Sequence, residues 1–253
     1  MALPKALLYG LSGDAAQEEE RLRKAGFATA TIHWKELASQ PNAWMQLAEV
    51  LDDPAVQAWV MAGSVQDFTP EILSMMSLLA LSLTRKEQPG TALVLRDGND
   101  LPLPALLSYV TVFSQTDNYA GKLMAARFKK GTELSKPFHL RAHMDNYIGL
   151  WLEVGPPAEQ PQDDFMVGVL DAEVTSFGVG VPGVLPAKTT LAYPLLGIQG
   201  TMRHLSFSAC AAKTPLHDDA VCYCKIGELP KGVFLGAYPD EEDAEDVSVI
   251  SFC

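Results

Sequence analysis

The stretch FHLRAHMDNYIGLWLEV, residues 138–154, decides the architecture of the second half of the chain. Apolar and polar side chains alternate along it with a period of two, as in a β-strand with one buried face and one wetter face. We expect a strand of an antiparallel sheet here. It should be bent or bulged at Asp145-Asn146 or at Gly149, because the run is long for a single strand. The expected buried set is Phe138, Leu140, Ala142, Met144, Ile148, Leu150, Leu152 and Val154.

The opposite face of this stretch is rich in chemistry-bearing side chains. Its members are His139, Arg141, His143, Asp145, Tyr147, Trp151 and Glu153. At roughly 3.3 Å per residue the two histidines lie about 13 Å apart along the strand, too far to ligate one metal ion directly. His143 and Asp145 are nearer and could form an acid–base pair. The set His139, Arg141, His143 and Asp145 is therefore a catalytic hypothesis, and a solvated strand face with one satisfied histidine explains the same pattern.

The pattern of the chain changes near Lys136. Before it, apolar runs alternate with helical segments; after it, nearly everything indicates strands and turns. We therefore predict an α/β domain over residues 1–135 and an antiparallel β-rich domain over residues 136–253. Further strands are expected at Phe165–Phe177, Thr189–Tyr193, Met202–Ala211, Ala220–Ile226, Gly232–Ala237 and Val247–Phe252.

The first half follows the order βαβαβαβα, with about four strands. Thr69-Pro70 marks a helix start, since a hydroxyl cap precedes proline at the first helical position. Helical sequence returns from Pro104, with a break around Ser114 to Asn118, and stops at Gly131. Apolar strands separated by helices favour a parallel sheet covered on both faces. The architecture resembles flavodoxin-like or Rossmann-like three-layer domains, which host many functions.

Ligands of such sheets bind beyond the carboxyl ends of the strands. The small and polar residues expected there are Gly10, Ser12, Gly13, Asp14, Gly63, Ser64, Arg96 and Asp97. They form a candidate ligand-binding set, although tight βα turns require the same residue types. Standard phosphate and nucleophile motifs are missing, because no lysine follows Gly13 and Asp14 replaces the last glycine of a Gly-x-Ser-x-Gly elbow.

Two patterns in the second half carry weaker signals. Cys210, His217, Cys222 and Cys224 have mixed metal-ligand character, but the spacing fits no zinc template, so a metal-free strand with buried thiols is favoured. The segment from Gly178 to Gly183 matches the dinucleotide fingerprint by letters only. We interpret it as a flexible loop, because proline interrupts it and no helix is expected to follow.

Charge and hydropathy restrict the classes of partner. The formal net charge is −12, and residues 136–253 contribute 7 Lys+Arg against 16 Asp+Glu. With no basic stripe, nucleic acid and anionic membrane surfaces are disfavoured as partners. The longest apolar run, residues 72–83, is too short to span a bilayer. With no signal-peptide pattern we expect a cytoplasmic protein with reduced thiols.

Three functions remain open. The first is a small-molecule binding or sensory module for an anionic or nucleotide-like ligand at the strand ends. The second is a hydrolase or transferase that uses the histidine set in a cleft between the domains. The third is an interaction or assembly module without chemistry, and a homo-oligomer is compatible with any of the three. The sequence leaves the identity of any cofactor unknown.

Overall fold

The computed structural model describes residues 3–12, 15–34, 43–84, 89–98, 100–126, 136–145, 147–156, 164–189, 198–202, 204–213, 221–237 and 247–253. The chain divides into two compact units. Unit 1 comprises residues 1–73 and 83–134, and unit 2 comprises residues 74–82 and 135–253. Within the described part of the chain, no helix is long and apolar enough to cross a membrane.

Unit 1 is built on a parallel sheet of five strands with helices, as expected for its α/β pattern. The strands are β1 (Lys5–Gly10), β2 (Ala28–His33), β3 (Val56–Gly63), β4 (Gly90–Leu95) and β5 (Thr111–Ser114). Its helices are α1 (Ala16–Lys24), α2 (Gln46–Asp52), the first four residues of α3 (Pro70–Ser82) and α4 (Tyr119–Ala126). The strand order β2-β1-β3-β4-β5 is one of the two common orders of doubly wound sheets, with its switch point between β1 and β3.

Apolar side chains hold this sheet against its helices. One face of the sheet presents Leu8, Val60 and Val94, which cluster with Leu22 of α1 and Leu123 of α4. The expected start of α3 is confirmed, since Thr69 Oγ1 accepts a hydrogen bond from the N–H of Ile72 and Pro70 is the first helical residue. Residues 74–82 of this helix belong to unit 2.

The end of unit 1 differs from the prediction. The expected helix from Pro104 is wrong: only a short 3-10 turn, Ala105–Leu107, follows, and residues 111–114 form the fifth strand. β5 pairs in parallel with β4, where its β-branched and aromatic residues fit a pleated edge better than a helix. The helix itself is confined to α4, and residues 127–135 lie outside the described part of the chain.

Unit 2 contains two antiparallel sheets, which confirms the β-rich prediction. The strands of the first, which we call sheet B, are β6 (His139–Asp145), β7 (Gly149–Gly155), β9 (Val174–Gly180) and β12 (Val221–Ile226). Those of the second, sheet C, are β8 (Asp164–Leu170), β10 (Ile198–Met202), β11 (Leu205–Lys213), β13 (Gly232–Ala237) and β14 (Val247–Ser251). Sheet B has the order β6-β7-β12-β9, and sheet C has the order β10-β11-β8-β13-β14.

Two predicted strands of unit 2 are each divided in the structure. Residues 138–154 form a hairpin rather than one bent strand, and Gly149 begins the second strand with a φ of 78°. The expected alternation holds in both strands, because the register pairs odd with odd and even with even residues, but Ile148 of the turn packs against Trp151 of the opposite face. The predicted strand Phe165–Phe177 is split at Asp171, whose φ is 55°, so that its halves enter different sheets. Most of Thr189–Tyr193 lies outside the described residues.

Candidate functional site

The strongest chemical constellation lies on one face of sheet B, which we call the histidine face. It is formed by His139, Arg141 and His143 of β6, Glu153 of β7 and Tyr223 of β12, together with their same-face neighbours. The β6–β7 register places Arg141 opposite Glu153, so the two histidines lie diagonally on either side of the carboxylate. Tyr223 lies opposite Glu153 on the other side of β7. Glu153 thus lies at the centre of this face.

Glu153 binds both histidines. The Nε2 atom of His139 lies 2.5 Å from Oε1, and the Nε2 atom of His143 lies 2.6 Å from Oε2. Although the two histidines are four residues apart on one strand, their rings converge on a single carboxylate. The predicted partner of His143 was Asp145, whose side chain lies outside the described part; the observed partner is Glu153, on the neighbouring strand.

A loop after β9 completes the surroundings of the carboxylate. The N–H of Gly183 donates to Glu153 Oε2 at 2.9 Å, and Gly183 has a φ of 82°, which favours glycine. The Tyr223 hydroxyl lies 3.0 Å from the same oxygen and 2.7 Å from the carbonyl oxygen of Val181, and it accepts the N–H of Val184. The interpretation of residues 178–183 as a flexible loop is wrong for residues 178–180, which belong to β9, and Val181 and Gly183 are hydrogen-bonded to this face.

The electrostatics of Glu153 follow from these contacts. Its exposed fraction is 0%, and such burial alone would raise the pKa of a carboxyl group. Hydrogen bonds from His139, His143 and Gly183 outweigh burial and hold the pKa of Glu153 well below its ordinary value. Burial and the neighbouring negative charge raise the pKa of Tyr223 to about 12. At neutral pH the site therefore holds an ionised carboxylate beside a neutral phenol.

The contact distances at Glu153 are those of direct hydrogen bonds. Two ligands of a tetrahedral zinc ion, each about 2.0 Å from the metal, lie roughly 3.3 Å from each other. The nitrogen–oxygen distances of 2.5 and 2.6 Å are shorter than this and fit direct charge-assisted hydrogen bonds. Among the residues that the structure describes, no group of three His, Cys, Asp or Glu side chains is placed to hold a metal ion.

The predicted strand-end residues of unit 1 also come together. Ser12 follows β1, Ser64 follows β3, and the hydroxyl groups of both donate to the carboxylate of Asp67. The guanidinium of Arg96, after β4, donates to the carbonyl oxygen of Ser12. Gly10 and Gly63 are the last residues of β1 and β3, while Gly13 and Asp14 lie outside the described residues.

Asp67 was not predicted, yet it organises this edge of the sheet. Its Oδ2 accepts the N–H and the hydroxyl of Ser64 at 2.7 and 2.8 Å. Burial raises the pKa of Asp67, but the hydrogen bonds from Ser12 and Ser64 lower it by more, so the net shift is downward. Asp97, which was predicted, accepts the N–H of Val65. A serine followed three residues later by aspartate is a capping-box spacing, the signal that could have identified Asp67.

The cysteine candidates lie in the interior of unit 2. Cys210, Cys222 and Cys224 are buried, and burial raises the pKa of the Cys210 thiol to about 11 and raises the pKa values of the other two as well. Protonated thiols are poor nucleophiles and poor metal ligands. His217, the fourth member of the predicted group, lies outside the described residues.

Two open clefts are lined by described residues other than those of the histidine face. One, of about 410 Å³, lies between α1 and the start of α4 in unit 1. The other, of about 460 Å³, is in unit 2 and is lined by Asp171, Glu173 and Glu228 among others. Neither lining includes a described histidine, so side-chain chemistry rather than cleft volume selects the candidate site.

Comparison with known proteins identifies no relative. No protein-family model matches the chain, and a search of curated proteins likewise finds no match. The function therefore has to be argued from the geometry of the site.

Proposed function

We propose that this protein is an enzyme of the hydrolase or transferase class, and that His139 and His143 are its acid–base groups. One observation carries the proposal. A fully buried carboxylate, Glu153, holds one imidazole on each of its oxygens, at 2.5 and 2.6 Å. A buried carboxylate that orients a histidine is a recurring device of acid–base catalysis.

The protonation state of the carboxylate fixes the chemistry of the rings. Because the pKa of Glu153 is lowered, the carboxylate is ionised near neutral pH and can only accept hydrogen bonds. Each Nε2 must then carry a proton and donate it. The Nδ1 atom of a neutral imidazole is left with its lone pair, ready to accept a proton from water or from a substrate hydroxyl. The resulting imidazolium is stabilised by the adjacent negative charge.

The two histidines differ in their access to solvent. The exposed fraction of the side chain is 15% for His143 and 36% for His139. The ring of His143 also lies beside that of Tyr223, with centroids 5.8 Å apart. We assign His143 as the general base, because it is the more shielded ring, and His139 as the group that exchanges protons with solvent.

Turnover of a substrate panel tests this proposal. The panel consists of chromogenic carboxylic esters, phosphate esters and glycosides, assayed with the wild type, with His143→Gln and with His204→Asn, which replaces an exposed histidine of the same unit. We expect at least one class to be hydrolysed, with a loss of about 100-fold or more in His143→Gln and none in His204→Asn. No turnover across the panel, or equal rates in all three proteins, would contradict the assignment.

A second candidate function belongs to unit 1. A specific observation favours it: Ser12, Ser64 and Arg96 converge across the switch point between β1 and β3, where doubly wound sheets bind ligands. We infer from this a cytoplasmic binding or sensory role for a small anionic or nucleotide-like molecule at that edge. The hydrogen bonds from Ser12 and Ser64 to Asp67 would keep the edge preorganised.

Ligand-induced stabilisation distinguishes this second function. A panel of nucleotides and small anions should raise the unfolding temperature of the wild type. The increase should be reduced in Ser12→Ala and retained in Ser108→Ala, which changes an exposed serine of unit 1. The absence of any shift with the whole panel would refute this role.

A further inference from the structure

The histidine face concentrates positive charge on an otherwise acidic unit. Residues 136–253 contain 7 Lys+Arg against 16 Asp+Glu. Among the side chains described on this face, however, Arg141 and Lys225 carry permanent positive charges, and the single described carboxylate is that of Glu153. That carboxylate already accepts hydrogen bonds from His139, His143 and Gly183 and is withdrawn from solvent. The described side chains that a ligand can meet here are therefore two cations and two imidazoles.

Arg141 occupies the centre of this arrangement. It lies between the two histidines on the same face of β6 and is paired in register with Glu153. Its Nη1 atom lies 3.7 Å from the position that a Cβ atom on Gly183 would take, so the guanidinium reaches the turn that closes over the carboxylate. A half-buried guanidinium in this place can present its fork of donors to two oxygens of one anion.

Lys225 places a second cation on the same face. Its strand position pairs with Trp151, which in turn pairs with His143. The lysine Nζ lies 5.7 Å from the centre of the Trp151 ring, and its aliphatic chain passes beside Gly149. Relative to His143, Arg141 thus lies two residues away along β6, and Lys225 lies two strands away, beyond Trp151.

We propose that the histidine face binds a substrate through an oxyanion, a phosphoryl or carboxylate group, held by Arg141 and Lys225 next to the imidazole of His143. The proposal deepens the function proposed above and rests on it, because it names the substrate class of the same site. The acidity of the rest of unit 2 supports this assignment, since an anion would be repelled elsewhere and drawn to this one face.

Binding of simple anions tests the proposal without requiring turnover. Inorganic phosphate and acetate are titrated separately into the wild type at low ionic strength, with the amide NMR signals of sheet B as the readout. We expect saturable shifts centred on residues 141, 143 and 183 that weaken as salt is added. A stronger response to phosphate identifies a phosphoryl substrate, and a stronger response to acetate identifies a carboxylate.

Three variants make the test specific. Arg141→Gln should weaken anion binding about tenfold or more, because it removes charge-assisted hydrogen bonds. Arg141→Lys should restore part of the affinity, since it keeps the charge and loses the fork. Lys231→Gln removes a positive charge of the same unit that pairs with Asp171 and should leave binding unchanged. Far-ultraviolet circular dichroism of each variant verifies that it is folded.

The outcomes separate the two proposals. Saturable binding that is lost in Arg141→Gln and kept in His143→Gln supports the oxyanion site even if no substrate of the panel is turned over. Shifts that are absent in the wild type, or equal in the wild type and Arg141→Gln, overturn the oxyanion site. The oxyanion site is overturned by either result even if neutral esters are hydrolysed in a reaction that depends on His143. Such hydrolysis would leave the acid–base assignment of His143 intact.

Discussion

Replacing Glu153 by glutamine tests the arrangement of the histidine face most directly. The substitution keeps the shape of the side chain but removes its charge and turns one acceptor oxygen into a donor. The carboxylate now receives hydrogen bonds from His139, His143 and Gly183 at 2.5, 2.6 and 2.9 Å. If the amide oxygen of the substituted side chain takes the place of Oε2, the amide NH₂ group takes the place of Oε1 and faces the Nε2–H group of His139. Two donors then oppose each other, and the hydrogen bond with His139 is lost.

The magnitude follows from these bonds. A hydrogen bond to a charged group contributes about 1.5–3 kcal/mol, and one to a neutral group about 0.5–1.5 kcal/mol. One lost bond and two weakened ones, offset by relief of a buried charge, give a decrease in the free energy of unfolding of about 3 kcal/mol. With a urea slope of about 2 kcal/mol per molar, the unfolding midpoint of unit 2 should fall by roughly 1.5 M.

The dependence on pH provides a second signature with a definite sign. The pKa of Glu153 is lowered in the folded protein from an ordinary value of 4.5. Its contribution to stability is therefore complete above pH 4.5 and is lost as the pH falls from there towards the folded value. This loss determines how the difference in stability between wild type and Glu153→Gln changes in acid. Below pH 4.5 it should shrink by at most about 1.36 kcal/mol per pH unit.

Fluorine NMR of protein labelled with fluorotryptophan follows unit 2 specifically, because Trp151 is its sole tryptophan by sequence. Glu228→Gln, at an exposed glutamate of the same unit, is the matched control and should unfold like the wild type. Equal midpoints for Glu153→Gln and the wild type at pH 7 would refute the reasoning. So would a stability difference that grows as the pH falls below 4.5.

Three further outcomes follow from single contacts of unit 2. Ser77→Ala should lower the free energy of unfolding by about 1–3 kcal/mol, because the buried carbonyl of Phe252 loses the hydroxyl that donates to it at 2.9 Å; urea denaturation measures this. Gly168→Ala should cost a similar amount, about 1–3 kcal/mol by thermal unfolding, since its Cβ would lie 2.3 Å from Phe234 Cζ. A thiol reagent should label only the half-exposed Cys253 in native protein and all four cysteines in denaturant.

Each substitution has a control variant, and the labelling experiment has a stoichiometry that would contradict it. Ser82→Ala, on the same helix as Ser77, removes only a local bond to the carbonyl of Leu79 and should cost less. Gly98→Ala adds a methyl group at ordinary van der Waals distance from Val65 and should be tolerated. A native labelling stoichiometry above one thiol per chain would contradict the burial of the cysteine cluster.

Local patterns were sufficient for the fold class. Period-two alternation in residues 138–154 predicted the buried face of sheet B, and Thr69-Pro70 predicted the start of α3. Segments whose local signal is ambiguous were predicted less well. Residues 111–114 become a strand because β4 offers them a parallel partner, a contact that no local window contains.

The sequence predicted the two histidines of the candidate site but not the role of Glu153. His139 and His143 share a face by parity, and Glu153 falls on that same face once the alternation is carried through Gly149. Its role was missed because the strand was expected to bend rather than to reverse. Reversal brings Glu153 back beside the histidines, whereas a bend would have left it on the continuing strand, ten residues beyond His143.

The sequence by itself therefore determined which side chains point to which face, because side-chain direction in a strand follows from residue parity alone. It also determined the acidity of the second half and the βα alternation of the first. Only the tertiary structure decided the partners: the register of a three-residue hairpin loop sets Glu153 against the histidines, and β12 brings Tyr223 to it across 70 positions. Register and strand order depend on the packing of the whole sheet. They bring a carboxylate and two histidines from neighbouring strands together into one site.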